Sequence, residues 1–299
     1  MTHAPATDAQ SNHHPSADDA QIRLAAVSYL NTTPLIEGLA KLERVRLTLS
    51  APAQLIALLD QDHADLALAS VIDAAHQPDA YSIIPAGIIG CDGPTLTVRV
   101  FSKAPIEDAT TLHADIDSHT SVALARIVLH HLTGRDPEVH PFDADQWAAK
   151  RTDAPDTPWP DTLLLIGDKV VTDSPPAAVY PHQLDLGQAW HDITGLPFVY
   201  AAWLAKRQRE NHHTTRVAAA LLDRQLRHNR TRLAWIAERR AKQAGWPVDV
   251  ARQYLGELLR YDLTPRHAEG LSRFFSMAAH LGIIPHPTTP PIATHHANA

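Results

Sequence analysis

A single cysteine, Cys91, stands among 299 residues, so the chain can form no internal disulfide and assemble no thiolate zinc cluster. Its expected role is that of a small buried side chain. An excess of positive charge is missing as well: 26 basic against 33 acidic residues leave a formal net charge of -7. That balance gives no overall basic footprint for nucleic acid, while leaving room for a local basic pocket and for anionic small molecules. No uncharged apolar run approaches the roughly 18 to 20 residues that a membrane helix needs, so no membrane partner is expected. The first 21 residues hold Pro5, His13, His14 and Pro15 but no apolar core of the signal-peptide kind, and export by that route is not expected. There is no internal repeat and no nucleotide or flavin motif. Several of the 20 histidines lie in the terminal stretches or in adjacent pairs such as His130-His131 and His212-His213, without a spacing that defines a metal site. They read as solvated side chains, and neither a metal nor any other cofactor is expected.

What is present suffices for two α/β lobes, since 44% of the residues are apolar. The organising stretch is AAVSYLNTTPL, from Ala25 to Leu35. Leu24 to Val27 reads as a buried strand and Tyr29 to Thr33 as the loop at its carboxyl end, where open α/β sheets bind ligands. Asn31, Thr32 and Thr33 precede Pro34 and an apolar stripe, which predicts a helix start. That start is read either as a simple cap or as an anion site. Further strands are predicted at Arg44 to Leu49 and Asp65 to Ser70, with a helix opening at Pro52 between them and a polar loop at Val71 to Asp73. This is the pattern of a parallel sheet with helical crossovers. A second hydroxyl-rich helix start is predicted at Asp117 to Ser121, again as cap or as donors to a carboxylate. Thr162 to Ile166 reads as a buried strand ending at Gly167-Asp168. Tyr180 to Trp190 reads as irregular, with Asp185 to Gly187 as its turn. From Thr214 the apolar stripes are helical, and the basic residues from Arg216 to Lys242 read as a solvated face.

Two extended stretches, Leu96 to Phe101 and Phe198 to Trp203, lie near the joins and predict a clam-like molecule crossed twice by the chain. The expected organisation is a disordered extension over 1–21, a discontinuous first lobe over 22–103 and 204–284, a second lobe over 104–203, and a disordered tail over 285–299. A ligand is expected in the cleft, faced from opposite sides by the helix starts at Asn31 and Thr120. No oligomeric state follows from the sequence.

Several short motifs then occur in a telling order: SYLNT at 28–32, DGP at 92–94, DSHTS at 117–121, LLIGD at 164–168, DLG at 185–187 and TGLPFVYAAW at 194–203. With the later YLGELLRYDL and EGLSRFF stretches, they resemble the chorismate dehydratases of the futalosine route to menaquinone, over about residues 22 to 283. The resemblance implies an α/β, two-lobed fold of the type 2 periplasmic-binding-protein kind, used by a cytoplasmic hydro-lyase. Its substrate is a small dianion, chorismate, from which it removes water to give 3-[(1-carboxyvinyl)oxy]benzoate. Carried onto this chain, the matching loops suggest Asn31 as the catalytic residue. They suggest Ser28, Thr32, Ser70, Thr97, Ser118, Thr120, Ser121 and Asp168 as substrate-binding residues. Of these Asp168 alone titrates, as a base or as a structural carboxylate, and the enolpyruvyl carboxylate of the substrate is the other candidate to take the proton. The chain departs from the family where a valine-arginine-serine run is usual: it has Thr95-Leu96-Thr97, which puts a threonine hydroxyl in place of a serine and removes a guanidinium. Two other readings share the fold. One is a cytosolic sensor or receptor for small anions; the other is the sister 1,4-dihydroxy-6-naphthoate synthase, whose usual cysteine-proline-asparagine opening is absent here.

Overall fold

A computed structural model describes residues 21–154 and 157–294. Of the predicted extension over 1–21, residues 1–20 lie outside the described residues, as do the last residues, 295–299, of the predicted tail. Two sheets organise the chain. The first has six strands and the second five.

The first sheet begins with β1 (Ile22–Ala26), followed by a one-turn helix α1 (Thr33–Ile36), β2 (Val45–Leu49), α2 (Leu55–Asp60) and β3 (Leu66–Ser70). β1 pairs in parallel with both β2 and β3. Its IRLAA and the LALAS of β3 are almost wholly buried, as expected of strands covered on both faces. The polar loop expected at Val71 to Asp73 is instead the start of α3 (Val71–His76), which follows β3 without a break; Val71, Ile72, Ala74 and Ala75 supply it with a buried face. The long β4 (Tyr81–Cys91) then runs antiparallel to β10.

The second sheet takes β5 (Val98–Ser102), β6 (Thr111–Asp115), α4 (His119–Thr133), β7 (Glu138–Phe142), α5 (Ala144–Asp153), β8 (Thr162–Ile166), α6 (Lys169–Thr172), β9 (His182–Asp185) and α7 (Leu186–Thr194). The chain returns to the first sheet as β10 (Phe198–Lys206), which runs antiparallel between β3 and β4. Helices α8 (His213–Arg230), α9 (Leu233–Ala244) and α10 (Val248–Gln253) follow, then a π-turn (Tyr254–Leu258), β11 (Leu259–Arg260) and α11 (Pro265–His280). No helix among the described residues is long and apolar enough to cross a membrane.

Three expectations are corrected. The two extended stretches are strands, but not of the lobes that the expected bounds give them: β5 belongs wholly to the second sheet and β10 to the first. The crossings therefore lie earlier than 103 and 203, at residues 92–97 and 195–197, because the apolar runs are used up as buried strands and only the turn residues beside them are free to cross. Second, Tyr180 to Trp190 is regular: β9 leads straight into α7, and Asp185 caps the helix rather than making a turn. Third, residues 291–293 of the expected tail are paired with the first sheet. Ile292 bridges Ile83 of β4, with Ile83 N donating to Pro291 O and Ala293 N to Ile83 O, both at 2.8 Å; Ile292 and Ala293 are apolar residues in an otherwise polar stretch, and Ala293 is buried.

The first crossing is pinned by one carboxylate. Asp185 accepts from Thr95 N (2.9 Å), Leu96 N (2.7 Å), Gly187 N (3.0 Å) and Gln188 N (3.1 Å). Gly93 turns there at φ 110, and Leu96 is held at φ 69, a left-handed conformation rare for leucine. A Cβ on Gly187 would stand 2.7 Å from Gly93 O and 2.7 Å from Cys91 Sγ, so only glycine lets α7 lie this close to the crossing. Asp185→Ala leaves the strained turn and the helix start without their acceptor. It is expected to cost roughly 2–4 kcal/mol and to lower the thermal midpoint by about 5–10 °C, read by calorimetry; an unchanged midpoint would show that the crossing holds itself.

Candidate active site

Where the two sheets meet, a cavity of about 600 Å³, counted with its open mouth, is lined from both sides. Its residues come from the carboxyl ends of β1, β3 and β8, the first crossing, the start of α4 and the π-turn. Asn31 sits in the short 3-10 turn after β1 (Leu30–Thr32), Ser70 at the end of β3 and Thr97 just before β5. Ser118 caps α4, accepting from Ser121 N, and its hydroxyl donates to Ser121 Oγ at 2.9 Å. Thr97 Oγ1 lies 2.6 Å from the hydroxyl of Tyr254. The side-chain oxygen of Asn31 is buried with no hydrogen-bond partner. A buried unpaired acceptor is costly, and Asn31 is one of the residues that line the cavity.

Asp117 brings the one carboxylate to the lining among the described residues. Lys169 bridges it at 2.7 Å to the fully buried Asp115 at 2.8 Å, and Tyr29 donates to it from the first lobe at 2.6 Å. Burial pushes the Asp117 carboxyl up, but hydrogen bonds from Lys169 and Tyr29 outweigh it and hold the group below the usual carboxylate range. Burial also favours a neutral Lys169, yet its two carboxylates keep the ammonium charged. Tyr200 and Tyr254 are pushed above their ordinary values by burial and stay protonated. Among the described residues no group of three or more His, Cys, Asp or Glu side chains is placed to hold a metal ion.

Of the residues suggested by sequence, the cavity brings together Asn31, Ser70, Thr97, Ser118 and Ser121. The other four stand elsewhere. Ser28 is exposed and opens on a neighbouring hollow that it shares with Leu30, Thr33 and Asp168. Thr32 is fully buried and turns its hydroxyl back onto Val27 O (3.0 Å) and Tyr29 O (2.7 Å). Thr120, also fully buried, accepts from Ile72 N at 3.3 Å and so ties α4 to α3. Asp168 reaches from the second lobe to the first, where both its oxygens accept from Leu30 N at 3.3 Å. The turn at Asn31 has no side-chain cap of its own, and a protein carboxylate occupies the place expected for a ligand's.

Sequence reasoning passed over Tyr29, Thr95, Asp117, Tyr200 and Tyr254, all in the lining. The available signal was the phenol: a tyrosine inside an aliphatic run, as in LPFVYAAW or YLGELL, carries a hydroxyl that needs a partner when buried.

The family model described as menaquinone biosynthesis matches residues 22–280. A chorismate dehydratase of Thermus thermophilus is 28% identical over 260 residues, 82% of this chain and 91% of that protein. Among solved structures, a protein of Archaeoglobus fulgidus matches with a TM-score of 0.62 at 17% identity, covering 88% of this chain and 98% of its own. The periplasmic aliphatic sulphonate binding protein of Escherichia coli matches with a TM-score of 0.60 at 15% identity, covering 93% and 95%. The structural likeness shows the two-lobed periplasmic-binding-protein fold and nothing further.

The link between the lobes through Asp168 has a measurable signature. Burial raises its carboxyl to about 6, against a smaller opposing pull from Leu30 N–H. Between about pH 4 and pH 6 the folded protein therefore keeps a proton that the unfolded chain has released, and this group's contribution to stability, whole below pH 4, is lost as pH rises to 6. Denaturant melts of the wild type and Asp168→Asn across that interval should differ in slope, the variant lacking this decline; parallel curves would place the carboxylate in an ordinary aqueous setting.

Proposed function

The chain belongs to the menaquinone biosynthesis family, and from that premise we propose that it removes water from chorismate to give 3-[(1-carboxyvinyl)oxy]benzoate, an entry step of the futalosine route. Its resemblance to a chorismate dehydratase supports the substrate, and the chemistry of the cavity supports the reaction. The observation that carries the reading is the buried, unpaired side-chain oxygen of Asn31 at the meeting of the lobes.

Chorismate carries two carboxylates, a hydroxyl at C4 and a proton at C3 that is vinylogous to the ring carboxylate. The hydroxyl of Ser121, whose oxygen accepts from Ser118, offers a donor to one carboxylate at the start of α4, helped by that helix's dipole. Thr97 offers a donor on the side of the first crossing. Asn31 accepts from the C4 hydroxyl and fixes its direction. Loss of the C3 proton to the base places its electron pair in the ring, spread toward the ring carboxylate; the C4–O bond then breaks, and the departing oxygen receives that same proton back from the base and leaves as water. The ring becomes aromatic, which drives the step, and no electrons are exchanged with a cofactor.

The base is best sought in the substrate. Asp117 is tied down by Lys169 and Tyr29 and held at low basicity, while Tyr200 and Tyr254 are protonated. The enolpyruvyl carboxylate, attached through oxygen to C3 itself, is within its own molecule's reach of the proton. Neutral donors suit that role. A lysine or arginine paired with this carboxylate would stabilise the charge and weaken the base, and neither residue type lines the cavity among the described residues. In this reading the protein works in the cytoplasm, since a catalyst of an internal biosynthetic step, unlike a transport receptor, gains nothing from export.

Chelator-treated protein is expected to convert chorismate to the enolpyruvyl benzoate, followed by mass spectrometry against a no-enzyme control. Asn31→Ala should lower kcat by about 100-fold or more. Unchanged chorismate with binding seen by calorimetry would point to a sensor of this fold, and turnover of a cyclic futalosine product instead would point to the sister synthase.

A further inference from the structure

Among the described residues that line the cavity, two hold a buried side-chain oxygen without a hydrogen-bond partner, Asn31 and Thr95. Asn31 has a part in the scheme above; Thr95 has none. Thr95 is 1% exposed, so its Oγ1 is cut off from bulk solvent and bonded to nothing in the protein. A hydroxyl buried in that state destabilises a fold, and its retention calls for an explanation. The backbone around it is as unusual. Thr97 N donates to Thr95 O at 2.9 Å across Leu96, whose φ is 69, which makes residues 95–97 a γ-turn of the rare, strained kind. Thr95 N and Leu96 N donate to Asp185 at 2.9 and 2.7 Å, and Thr97 O accepts from Gly167 N at 2.8 Å. Behind the side chain stands the start of α7, where a Cβ added to Gly187 would lie 3.0 Å from Thr95 Cβ. The backbone of the turn is therefore fixed, and Thr95 is held in the cavity wall.

Strain of this kind collects where a structure holds a group in place for a ligand, and the chemistry of Thr95 says which ligand group that is. With no partner, its hydroxyl proton is uncommitted, so the group is a free donor. Donors for an anion are few in this cavity: neither lysine nor arginine lines it among the described residues, and at the start of α4 the Ser118 hydroxyl already donates to Ser121 Oγ. We propose that Thr95 is a substrate-binding residue whose hydroxyl donates to a carboxylate oxygen of a small carboxylic acid, with the γ-turn holding the donor in place before the ligand arrives. That the acid is chorismate rests on the functional reading above. A dianion of that kind brings two carboxylates to neutral donors. Ser121 and Thr95 stand on different elements, α4 and the first crossing, so each serves one of them.

Thr95→Val keeps the shape of the side chain and removes the hydroxyl, whereas Thr95→Ser keeps the hydroxyl. Thr95→Val should lower kcat/KM for chorismate by about 10- to 100-fold, the span of one hydrogen bond to a charged group, and Thr95→Ser should stay within about threefold of wild type. Because the hydroxyl has no partner in the protein, Thr95→Val should also raise the thermal midpoint of the ligand-free protein by about 2–5 °C in calorimetry. A lowered midpoint would assign the hydroxyl to the fold and overturn the proposal. Competitive inhibition by 3-[(1-carboxyvinyl)oxy]benzoate and by its two mono-amides, one at each carboxylate, identifies the group bound. The loss from wild type to Thr95→Val should shrink below about threefold for one of the amides, which tells the ring carboxylate from the enolpyruvyl one; an equal loss for all three ligands would overturn the proposal. A wild type that neither converts nor binds chorismate overturns the functional reading and this inference together. Binding without conversion overturns the functional reading alone, the Thr95→Val loss then being read in Kd, and conversion by Thr95→Val at the wild-type kcat/KM overturns the inference alone.

Discussion

Four backbone N–H groups converge on the Asp185 carboxylate, and the rest of the molecule hangs on that convergence. The chain must leave one sheet and enter another within six residues, through a turn that includes a leucine in a left-handed conformation. A charged acceptor repays part of that strain, since hydrogen bonds to an ionised group exceed neutral ones. The same carboxylate starts α7, so the crossing and a helix of the second lobe move as one body. Thr95 and Thr97 stand on either side of the strained residue, and their places in the cavity are set by this knot.

The electrostatics of the cavity follow a single pattern: charge is spent on structure and neutral donors are left for the ligand. Lys169 is absorbed by Asp115 and Asp117. Asp117 is further satisfied by Tyr29, and Asp168 by Leu30 N–H. Both of the latter contacts join the first lobe to the second, so the charges that a sequence reader would assign to the substrate instead hold the walls together. What faces inward is an amide, several hydroxyls and aliphatic side chains. Such a lining recognises an anion through directed hydrogen bonds, at the cost of needing each donor fixed beforehand.

The sequence was most readable where periodicity and burial coincide. The runs of β1, β3, β8 and β10 appear as apolar segments because strands covered on both faces tolerate little else. Asn31, Ser70, Thr97, Ser118 and Ser121 were legible because loops at strand ends and helix starts are where polar residues have few structural reasons to cluster. The same reasoning could not separate Thr32 and Thr120 from them. A hydroxyl that turns back onto its own backbone and one that faces a ligand share one local sequence; the difference lies in which long-range neighbour arrives, Ile72 N in the case of Thr120. Tyr254 was hidden for the opposite reason, as its ring belongs to an apolar stripe and only its hydroxyl belongs to the cavity. The joins were misplaced because apolar extended stretches signal strands equally well whether they end a lobe or begin one.

The return of residues 291–293 to Ile83 matters for more than the end of the chain. β4 stands next to the margin of its sheet, beyond which β11 covers only Gly90 and Cys91, while Ile88 N finds Tyr261 O. The final segment pairs with Ile83. A sheet margin with free amides is a template on which another chain can add a strand, and a protein cut back before Pro291 would leave Ile83 N and O as one such unpaired site on β4.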